Sequence, residues 1–600
     1  MVSYFDPIKR ILRVWSCAPR AVGLVWKAGR VATLVELSTN LISGLFPLAG
    51  LWAMKLIVDS VVAGDENTAY LMVGVFALFA GLGAAAGRVS QGIGVYMESR
   101  IPAFANVLLQ EKVDSFKGIA LFEDPRFHDD LENARRGANC TDILWALSRL
   151  FVHTCVLLST AVLLGRYHFL APVIVIATAA PRSALQSLFM ATEWSVLRSG
   201  APEARQMQYF SEIVTGDEHA KEVRLFGLGD TFIGLYRQAF STLYRALQRV
   251  RLRWAGWNVA TAFCAAAGAG AVYAYIAVRA AVGAITVGDF VLYIGLLFGL
   301  HNTLWRFSNN VKNGYRNLLD LSLFFDFLDL TPRLPVLPEN RRRRIRRPLH
   351  AGIVLEKVSF AYPGTDVPVL DGVDLEIEMG KTVALVGANG AGKTTLVKLL
   401  TRLYDPTDGR ILLDGVDLKE YDVADLRQTF GVVLQDFVHY HLTARENIGF
   451  GQIDCMVDEE RVLEAAERGQ VAELIARLPQ GLDSVLGREF PEGVELSGGE
   501  WQKMAISRGF MRNAEVLILD EPTAALDARS EQGLYEQFTE LVRGRTALFI
   551  SHRLATVRMA DRIVILEGGG VVEEGNHDEL MALGGRYARL FTMQAERYGS

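Results

Sequence analysis

This chain has few cysteines and a small net charge, which argues against a disulfide-stabilised protein, a cysteine metal site and a nucleic-acid-binding protein. Its five cysteines contain no C-x-x-C pair: Cys17, Cys140, Cys155, Cys264 and Cys455. We therefore expect neither a disulfide framework nor a cysteine metal site. The formal net charge is only −5, so the chain carries no electrostatic footprint for a nucleic-acid partner.

The first residues of the sequence do not have the pattern of a secretory signal peptide. Residues 8–15 mix basic with apolar side chains and lack a long apolar core or a small-residue cleavage site. We expect this segment to form an amphipathic helix on the inner face of a membrane.

Lysine, arginine, aspartate and glutamate are absent from six stretches of the N-terminal half. The stretches are Leu37–Met54, Ala69–Gly87, Leu150–Gly165, Tyr167–Pro181, Trp254–Val278 and Phe290–Trp305. Each is close to the length that a helix needs to cross the hydrocarbon layer, and 50% of the chain is hydrophobic. The pattern predicts six transmembrane helices and argues against a soluble protein of DNA repair or translation.

The loops between these stretches differ in charge. Basic residues concentrate in residues 88–149 and 182–253, whereas the other three loops are short and carry one cation each: Lys55, Arg166 and Arg279. Basic loops stay in the cytoplasm, so we expect both termini there as well. The chain is predicted to be integral to a membrane, the bacterial inner membrane, with its C-terminal half in the cytoplasm.

The C-terminal half contains a glycine-rich phosphate-binding motif. Residues 387–395, GANGAGKTT, lie between an apolar strand pattern and a helical pattern. The spacing lets backbone N–H groups surround a β-phosphate, while the lysine reaches the β- and γ-phosphates and the threonine offers a hydroxyl to Mg²⁺. We predict a site for ATP and Mg²⁺ formed by Gly387, Asn389, Gly390, Gly392, Lys393, Thr394 and Thr395.

Two further motifs follow in order. Residues 496–500 are LSGGE, and residues 516–522 are VLILDEP. Together with the phosphate-binding motif they resemble the ATP-binding cassette (ABC) family. The resemblance implies that Asp520 holds Mg²⁺ through water and that Glu521 is the general base that polarises the attacking water.

The resemblance extends to single residues along the C-terminal half. Tyr362 matches the aromatic residue that stacks on adenine. Gln435 matches the glutamine that touches Mg²⁺ and reports the nucleotide state to the membrane domain. Asp527 matches the D-loop aspartate, and His552 matches the switch histidine that contacts the γ-phosphate.

One position departs from the family pattern. Ser497, Gly498 and Gly499 match the signature that caps the γ-phosphate held by a partner cassette, but Glu500 stands where the family usually has glutamine, and Trp501 follows it. We expect hydrolysis to survive, and we expect a carboxylate near the nucleotide to slow closure through repulsion.

Prolines and arginines mark the boundary between the halves. Residues 331–348 are TPRLPVLPENRRRRIRRP, in which prolines prevent regular structure. We predict a transmembrane domain at 1–330, a linker at 331–349 and a nucleotide-binding domain at 350–600. The arginines are most simply a solvated hinge, and contact with anionic headgroups is the alternative. Residues 580–598 are predicted to be a solvated terminal helix.

The fold class is therefore an all-α six-helix transmembrane domain followed by an α/β P-loop domain, which resembles the half-transporters among ABC exporters. Residues 121–136 and 216–229 lie where that family places coupling helices. Each nucleotide in the family is sandwiched between two cassettes, which implies a homodimer or a related half-transporter as partner.

The resemblance implies an ATP-driven exporter of a hydrophobic or amphipathic molecule such as a peptide, a drug-like compound or a lipid. A fused importer of a siderophore-like substrate and a nucleotide-gated channel are the alternatives. Counting 1.5 Å per residue from the outer helix ends places Arg88, Arg149, Arg182 and Arg306 at about the level of the inner leaflet. Packing at the cytoplasmic rim explains them most simply; contact with an anionic group of the substrate is the alternative.

Overall fold

The computed structural model describes residues 14–139, 143–199, 201–521, 545–551 and 557–598. These residues divide into two compact units. One unit comprises residues up to Val113 together with Asp129–Leu330, and the other comprises Asp114–His128 together with the chain from Thr331 onward. Cys140, Asp527 and His552, and residues 8–13 of the predicted N-terminal helix, lie outside the described residues.

The first unit is built from helices, as the charge-free stretches predict. Their bounds are α1 Ala18–Ala28, α2 Arg30–Ala63, α3 Glu66–Asp114, α4 Pro125–Ala138, α5 Ile143–Tyr167, α6 Leu170–Ser199, α7 Ala201–Thr215, α8 Asp217–Leu225, α9 Gly229–Ala281 and α10 Val287–Leu328. Among the described residues, five helices are long and apolar enough to cross a membrane: α2, α3, α5 (as Trp145–Arg166), α9 and α10. Five of the six predicted spans therefore coincide with such helices.

The sixth predicted stretch, Tyr167–Pro181, has a shorter counterpart. Its apolar part is Leu170–Pro181, the first section of α6, and the helix continues through Pro181 to Ser199. Tyr167 belongs instead to the end of α5. The absence of charged residues identifies the apolar segment, but the turn between α5 and α6 determines where each helix ends.

Apolar side chains hold the helices of this unit together. One buried cluster joins α5, α6, α9 and α10 through Leu164, Val175, Val272, Ile276 and Leu297. Polar contacts add to it at the far end of α2, where Lys55 Nζ lies 2.7 Å from Asp289 Oδ1 at the start of α10. A capping box closes that end of α10, because Thr286 accepts a hydrogen bond from the Asp289 backbone.

The second unit is an α/β domain with two sheets. Its strands are β1 Ile353–Phe360, β2 Leu370–Ile377, β3 Thr382–Gly387, β4 Asp408–Leu413, β5 Val416–Asp417, β6 Phe430–Val433, β7 Val516–Asp520, β8 Thr546–Ile550, β9 Arg562–Glu567 and β10 Gly570–Gly575. Among the described residues, the larger sheet has the order β10-β9-β3-β8-β7-β6 and the smaller has the order β2-β1-β4-β5. Strands β3, β6, β7, β8 and β9 run parallel, and β10 is an antiparallel edge. Every residue of β3, β7 and β8 is buried, as expected for parallel strands that are covered on both faces.

The described helices of this unit fall into three groups. α11 Lys393–Leu400 and α12 Val423–Gln428 pack beside the sheets, and α17 His577–Leu583 and α18 Arg586–Tyr598 end the chain. α13 Ala444–Gly449, α14 Glu459–Arg468, α15 Ala472–Arg477 and α16 Gly498–Met511 share a separate core that includes Trp501. The predicted terminal helix is divided at Gly584, whose φ is +64°, and Leu580 and Tyr587 are buried.

The arginine-rich segment is attached to the second unit. Arg342 pairs with Asp422 at 3.0 Å, and Arg347 pairs with Asp425 at 2.9 Å. The acidic partners lie on or next to α12. The interpretation of these arginines as a solvated hinge therefore needs correction, because acids of the α/β domain hold two of them.

Candidate nucleotide site

The phosphate-binding loop lies between β3 and α11, as the motif predicts. Gly390 and Gly392 have φ angles of +81° and +99°, a region that favours glycine. A Cβ at Gly392 would lie 2.5 Å from the Leu370 side chain and 3.1 Å from the Val369 carbonyl oxygen. The loop therefore needs glycine at position 392 for both conformation and space.

Lys393 is the first residue of α11 and is buried. Its ammonium donates to the carbonyl oxygens of Gly387 at 2.9 Å and Ala388 at 3.0 Å. Burial lowers the pKa of Lys393, and the negative charges of Glu521 and Asp520 oppose that shift. These contacts aim the ammonium along the loop, on the same side as the two carboxylates.

Tyr362 belongs to an aromatic group beside α11. Its hydroxyl shares a 2.9 Å hydrogen bond with Thr395 Oγ1, and its ring meets Phe360 and Tyr404 edge-on. Lys398 Nζ lies 5.2 Å from the centre of the Tyr362 ring, within cation–π range. The ring predicted to stack on adenine is thus attached to the helix that follows the phosphate loop.

Asp520 is the last residue of β7 and is only 1% exposed. Among the described residues, neither of its carboxylate oxygens has a protein hydrogen-bond partner. Burial raises the pKa of Asp520, the charges of Glu521 and Asp436 raise it further, and Thr394 and Lys393 act in the opposite direction. A buried carboxylate that accepts no hydrogen bond is costly unless positive charge lies beside it, and Lys393 supplies only part of that charge, since the pKa of Asp520 is still raised.

This environment fits a magnesium ion. Mg²⁺ prefers oxygen ligands and is commonly held by one or two carboxylates, a hydroxyl and substrate phosphates. Asp520 and Thr394 supply a carboxylate and a hydroxyl here. These two residues would hold the ion together with phosphate oxygens of a nucleotide. The described residues contain no group of three or more His, Cys, Asp or Glu suited to hold a metal.

Glu521 follows Asp520 with a φ of +49°, a backbone region that costs a non-glycine residue roughly 1–2 kcal/mol. Its backbone N–H donates to the Ile550 carbonyl at 3.1 Å. Gln435, two residues beyond β6, donates from Nε2 to Glu521 Oε2 at 3.2 Å. Two residues that are 86 positions apart in sequence, and were assigned to base and sensor roles, therefore touch.

The signature segment forms the start of α16. Ser497 is the N-cap, and Glu500 completes a capping box in which the Glu500 carboxylate accepts from the Ser497 backbone N–H and hydroxyl, each at 2.8 Å. Trp501 is buried and stacks on His439 with ring centres 4.6 Å apart. The departure from glutamine thus has a structural role, because glutamate caps this helix. Gly498 and Gly499 form its first turn.

Residues 114–128 pack on the α/β domain as part of the same unit. The Ile119 N–H donates to the Leu403 carbonyl at 3.2 Å. The Glu123 carboxylate accepts from Lys398 Nζ at 2.8 Å and also from the Tyr404 hydroxyl. Sequence reasoning missed Lys398 and Tyr404 altogether, since neither lies in a recognisable motif.

The pKa values of this cluster reflect its contacts. Burial acts to raise the pKa of Glu123, but the hydrogen bonds from Lys398 and Tyr404 outweigh it and hold the pKa below the ordinary value. Burial raises the pKa of Tyr404, and the neighbouring Glu123 raises it further. Glu123 is therefore held as a carboxylate that joins residues 114–128 to Lys398 and Tyr404, both of which also contact the Tyr362 ring.

The four predicted inner-leaflet arginines do not share one environment. Arg149 stacks on the Trp145 ring at 4.3 Å. Arg88 makes a long contact of 3.5 Å to Gln91, and Arg306 is exposed. The side chain of Arg182 lies outside the described ones.

The chain is similar to known proteins both within one domain and over nearly its whole length. A family model described as "ABC transporter" matches residues 370–524. The chain is 28% identical over 589 residues to the subtilin transport ATP-binding protein SpaT of Bacillus subtilis. That alignment covers 96% of this chain and 93% of that protein. It is 40% identical over 329 residues to an ATP-dependent lipid A-core flippase of Chromobacterium violaceum, and that alignment spans only 54% of each protein.

A solved structure is similar over nearly the whole length. It is described as a bacterial Atm1-family ABC exporter with ATP bound, and it superimposes with a TM-score of 0.75 at 26% identity. The match covers 96% of this chain and 98% of that chain. The likeness therefore extends from the nucleotide site through the membrane helices.

Proposed function

Because the chain belongs to the ABC transporter family and has the fused membrane and nucleotide-binding parts of its exporters, we propose that it exports a hydrophobic or amphipathic substrate at the expense of ATP. The substrate is a peptide, a drug-like molecule or a lipid. The observation that carries this proposal is the meeting of Gln435 and Glu521 beside the buried Asp520, in a chain whose other half is made of membrane-length helices.

The residues of the site have separate roles in ATP hydrolysis. Glu521 accepts a proton from the attacking water, and Gln435 orients its carboxylate. Lys393 and the backbone N–H groups of the loop at 387–395 hold the phosphates. When bound, Mg²⁺ would be held by Asp520 and Thr394, with Gln435 nearby, and would neutralise charge on the phosphates.

A second copy of the chain completes the site in this proposal. The phosphate loop borders the sheet core, whereas Ser497 starts a helix of the separate α13–α16 core. The family resemblance assigns the cap over each nucleotide to a partner's signature, and this chain carries the catalytic and the signature residues together. Two identical chains would then form two equivalent sites, with Asp527 and His552 assigned their family roles.

The helices and their charges support a place in the membrane. The domain limits 1–330, 331–349 and 350–600 remain our assignment, with the addition that residues 114–128 accompany the nucleotide-binding domain. The bacterial inner membrane is the proposed location, with ATP supplied from the cytoplasm.

Inside-out membrane vesicles test the export of a substrate directly. Vesicles that contain the wild type or Glu521→Gln are incubated with host-cell extract and ATP, and the trapped contents are identified by mass spectrometry. A compound enriched only in wild-type vesicles would support export and identify the substrate.

The same vesicles distinguish other outcomes. ATPase activity that depends on Glu521 without enrichment would contradict export of a soluble compound, and right-side-out vesicles would then test import. Ion conductance that survives in Glu521→Gln would contradict the proposal in favour of a nucleotide-gated channel.

A further inference from the structure

A polar cavity lies within the helical unit, although the surrounding helices are rich in apolar residues. It has a volume of about 510 Å³ and is lined by α2, α3, α5 and α10, a size within the range of small-molecule sites. Its polar lining includes Asn40, Gln91, Glu98, Arg149, Asn310 and Asn313. Polar groups at membrane depth are expensive and commonly mark substrate pathways.

The cavity lies toward the cytoplasmic side of the proposed membrane. Arg149 is about 24 Å from the outer end of α5 near residue 165, and Asn310 is about 35 Å from the start of α10, at 1.5 Å per residue. A molecule would therefore reach the cavity from the cytoplasm or from the inner leaflet.

Trp145 contacts one anionic and one cationic side chain of the cavity lining. Its indole N–H donates to Glu98 Oε1 at 3.1 Å, and the Arg149 guanidinium lies 4.3 Å from its ring centre. A Cβ added at Gly94 would lie 1.8 Å from the Trp145 ring, so α3 and α5 are in direct contact here. The two opposite charges are consequently held on one rigid support.

A second polar layer lies behind Asn40. The Asn40 amide donates to Glu36 Oε1 at 2.6 Å, and Ser90 donates to Asn40 Oδ1 at 3.2 Å. Glu36 is fully buried, and its other carboxylate oxygen has no hydrogen-bond partner among the described residues. These bonds join α2 to α3 and hold the Asn40 side chain in place.

We infer that this cavity binds a peptide-like part of the transported molecule, which builds on the export function proposed above. Each asparagine or glutamine offers both a donor and an acceptor, as each peptide unit does, so the two match in pairs. Glu98 and Arg149 add one contact for an ammonium and one for a carboxylate.

Other ligand classes fit the lining less well. A wholly apolar compound would remove the amides, Glu98 and Arg149 from water without giving hydrogen bonds in return, which is unfavourable. A phospholipid headgroup carries a phosphate, which favours clustered cations, whereas the described residues of the lining include one cation, Arg149, and an acid accompanies it. The peptide-like class therefore uses the charges and the amides together.

Equilibrium dialysis tests this inference. The full-length protein in lipid nanodiscs is dialysed against an equimolar library of free tetrapeptides, and retained peptides are quantified by mass spectrometry. We expect retention to fall about tenfold in Arg149→Gln or Glu98→Gln, the loss typical of one charged hydrogen bond. Asn313→Ala, which changes an exposed position, should lower it about fivefold.

Matched variants and libraries make the result specific. Arg166→Gln on α5 and Asn302→Ala on α10 alter the same residue types outside the lining and should retain as much as the wild type. The library with acetylated N termini and amidated C termini lacks both charged groups and should be retained roughly 10–100-fold less than the free library. Equal retention by Arg149→Gln, Glu98→Gln and Asn313→Ala would overturn the inference, as would retention of the dye Nile red or of co-purified phospholipid in place of the peptides.

ATPase measurements on the same nanodiscs separate this inference from the function on which it rests. Hydrolysis lost in Glu521→Gln together with no peptide retention would overturn the cavity assignment alone. Peptide retention that depends on Arg149, without ATP-dependent uptake in vesicles, would support the cavity and refute the export function.

Discussion

Glu123 is predicted to transmit events at the nucleotide site to residues 114–128, so its neutralisation should uncouple hydrolysis from transport. In Glu123→Gln, the side chain keeps one oxygen acceptor and loses its negative charge. The contacts at risk are the 2.8 Å bond from Lys398 and the bond from the Tyr404 hydroxyl. Both partners also contact Tyr362, at ring distances of 5.2 Å and 5.6 Å.

The size of the effect follows from the exposure of the pair. A hydrogen bond to a charged group contributes about 1.5–3 kcal/mol when it is shielded from water. The Glu123 and Lys398 side chains are 39% and 24% exposed, so solvent screening reduces that figure. We expect the loss of the charge to lower the free energy of opening of residues 114–128 by about 1–2 kcal/mol. That change corresponds to roughly 5–30-fold more frequent opening.

Two assays measure this change. Hydrogen exchange of the amides in residues 114–128 should accelerate by about 5–30-fold in Glu123→Gln. The amount of substrate transported per ATP hydrolysed should fall, because Glu521 and Gln435 are untouched and hydrolysis continues. A double-mutant cycle with Lys398→Gln should recover most of the loss as coupling energy.

Glu132→Gln is the matched control, since Glu132 is an exposed acid on the neighbouring α4. It should leave both amide exchange and the transport ratio at wild-type values. Equal behaviour of Glu123→Gln and Glu132→Gln would refute the idea that the Glu123 contacts transmit the nucleotide state.

The pH dependence of this contact has a defined sign. The pKa of Glu123 is lowered in the folded protein, so its contribution to docking is fully present above the unfolded value of about 4.3 and is lost as pH falls through the folded value. Exchange of residues 114–128 should therefore be unaffected by this group between pH 6 and 8, and the effect of Glu123→Gln should be constant over that range.

Three further predictions concern the buried acid, the helix cap and the membrane helices. Asp520→Asn should raise stability without nucleotide by roughly 1–3 kcal/mol, by removing a buried charge whose carboxylate oxygens accept no hydrogen bond, while Mg²⁺-dependent hydrolysis is lost; unchanged thermal unfolding would contradict this. Glu500→Gln should keep ATPase activity within about twofold, because glutamine also completes a capping box. Glu500→Ala should destabilise the domain by about 1 kcal/mol in denaturant titrations. Gly94→Ala should lower stability by roughly 1–3 kcal/mol in scanning fluorimetry, since it displaces Trp145.

The sequence predicted the parts of the fold that depend on local pattern. The absence of charge located five membrane-length helices, and the spacing of GANGAGKTT located the turn between β3 and α11. The sixth stretch was misplaced at its start, because hydropathy reports which residues avoid water and not where the chain turns. Tyr167 is apolar and charge-free, yet it ends α5.

The contacts made across long sequence separations could not be predicted. Glu123 and Tyr404 are 281 positions apart, and nothing in either local sequence indicates the other. Arg347 belonged to a run that suggested a solvated hinge, and only the fold shows Asp425 opposite it. The role of Glu500 as an N3 cap was implicit in the spacing of S-x-x-E, but the comparison with a usual glutamine drew attention to its charge instead of to its hydrogen bonds.

The backbone at Glu521 explains how neighbouring acids serve different purposes. Side chains alternate between faces along a strand, so a residue that simply continued β7 after Asp520 would project to the opposite side. The φ of +49° at Glu521 breaks that alternation, and both carboxylates act on Lys393. Asp520 is buried where a cation would compensate it, while Glu521 reaches Gln435. Glu521→Gln should keep this backbone and lose only the base, whereas Glu521→Gly should also relieve roughly 1–2 kcal/mol of strain. If both variants unfold at the same temperature, the strained backbone is not what positions the base.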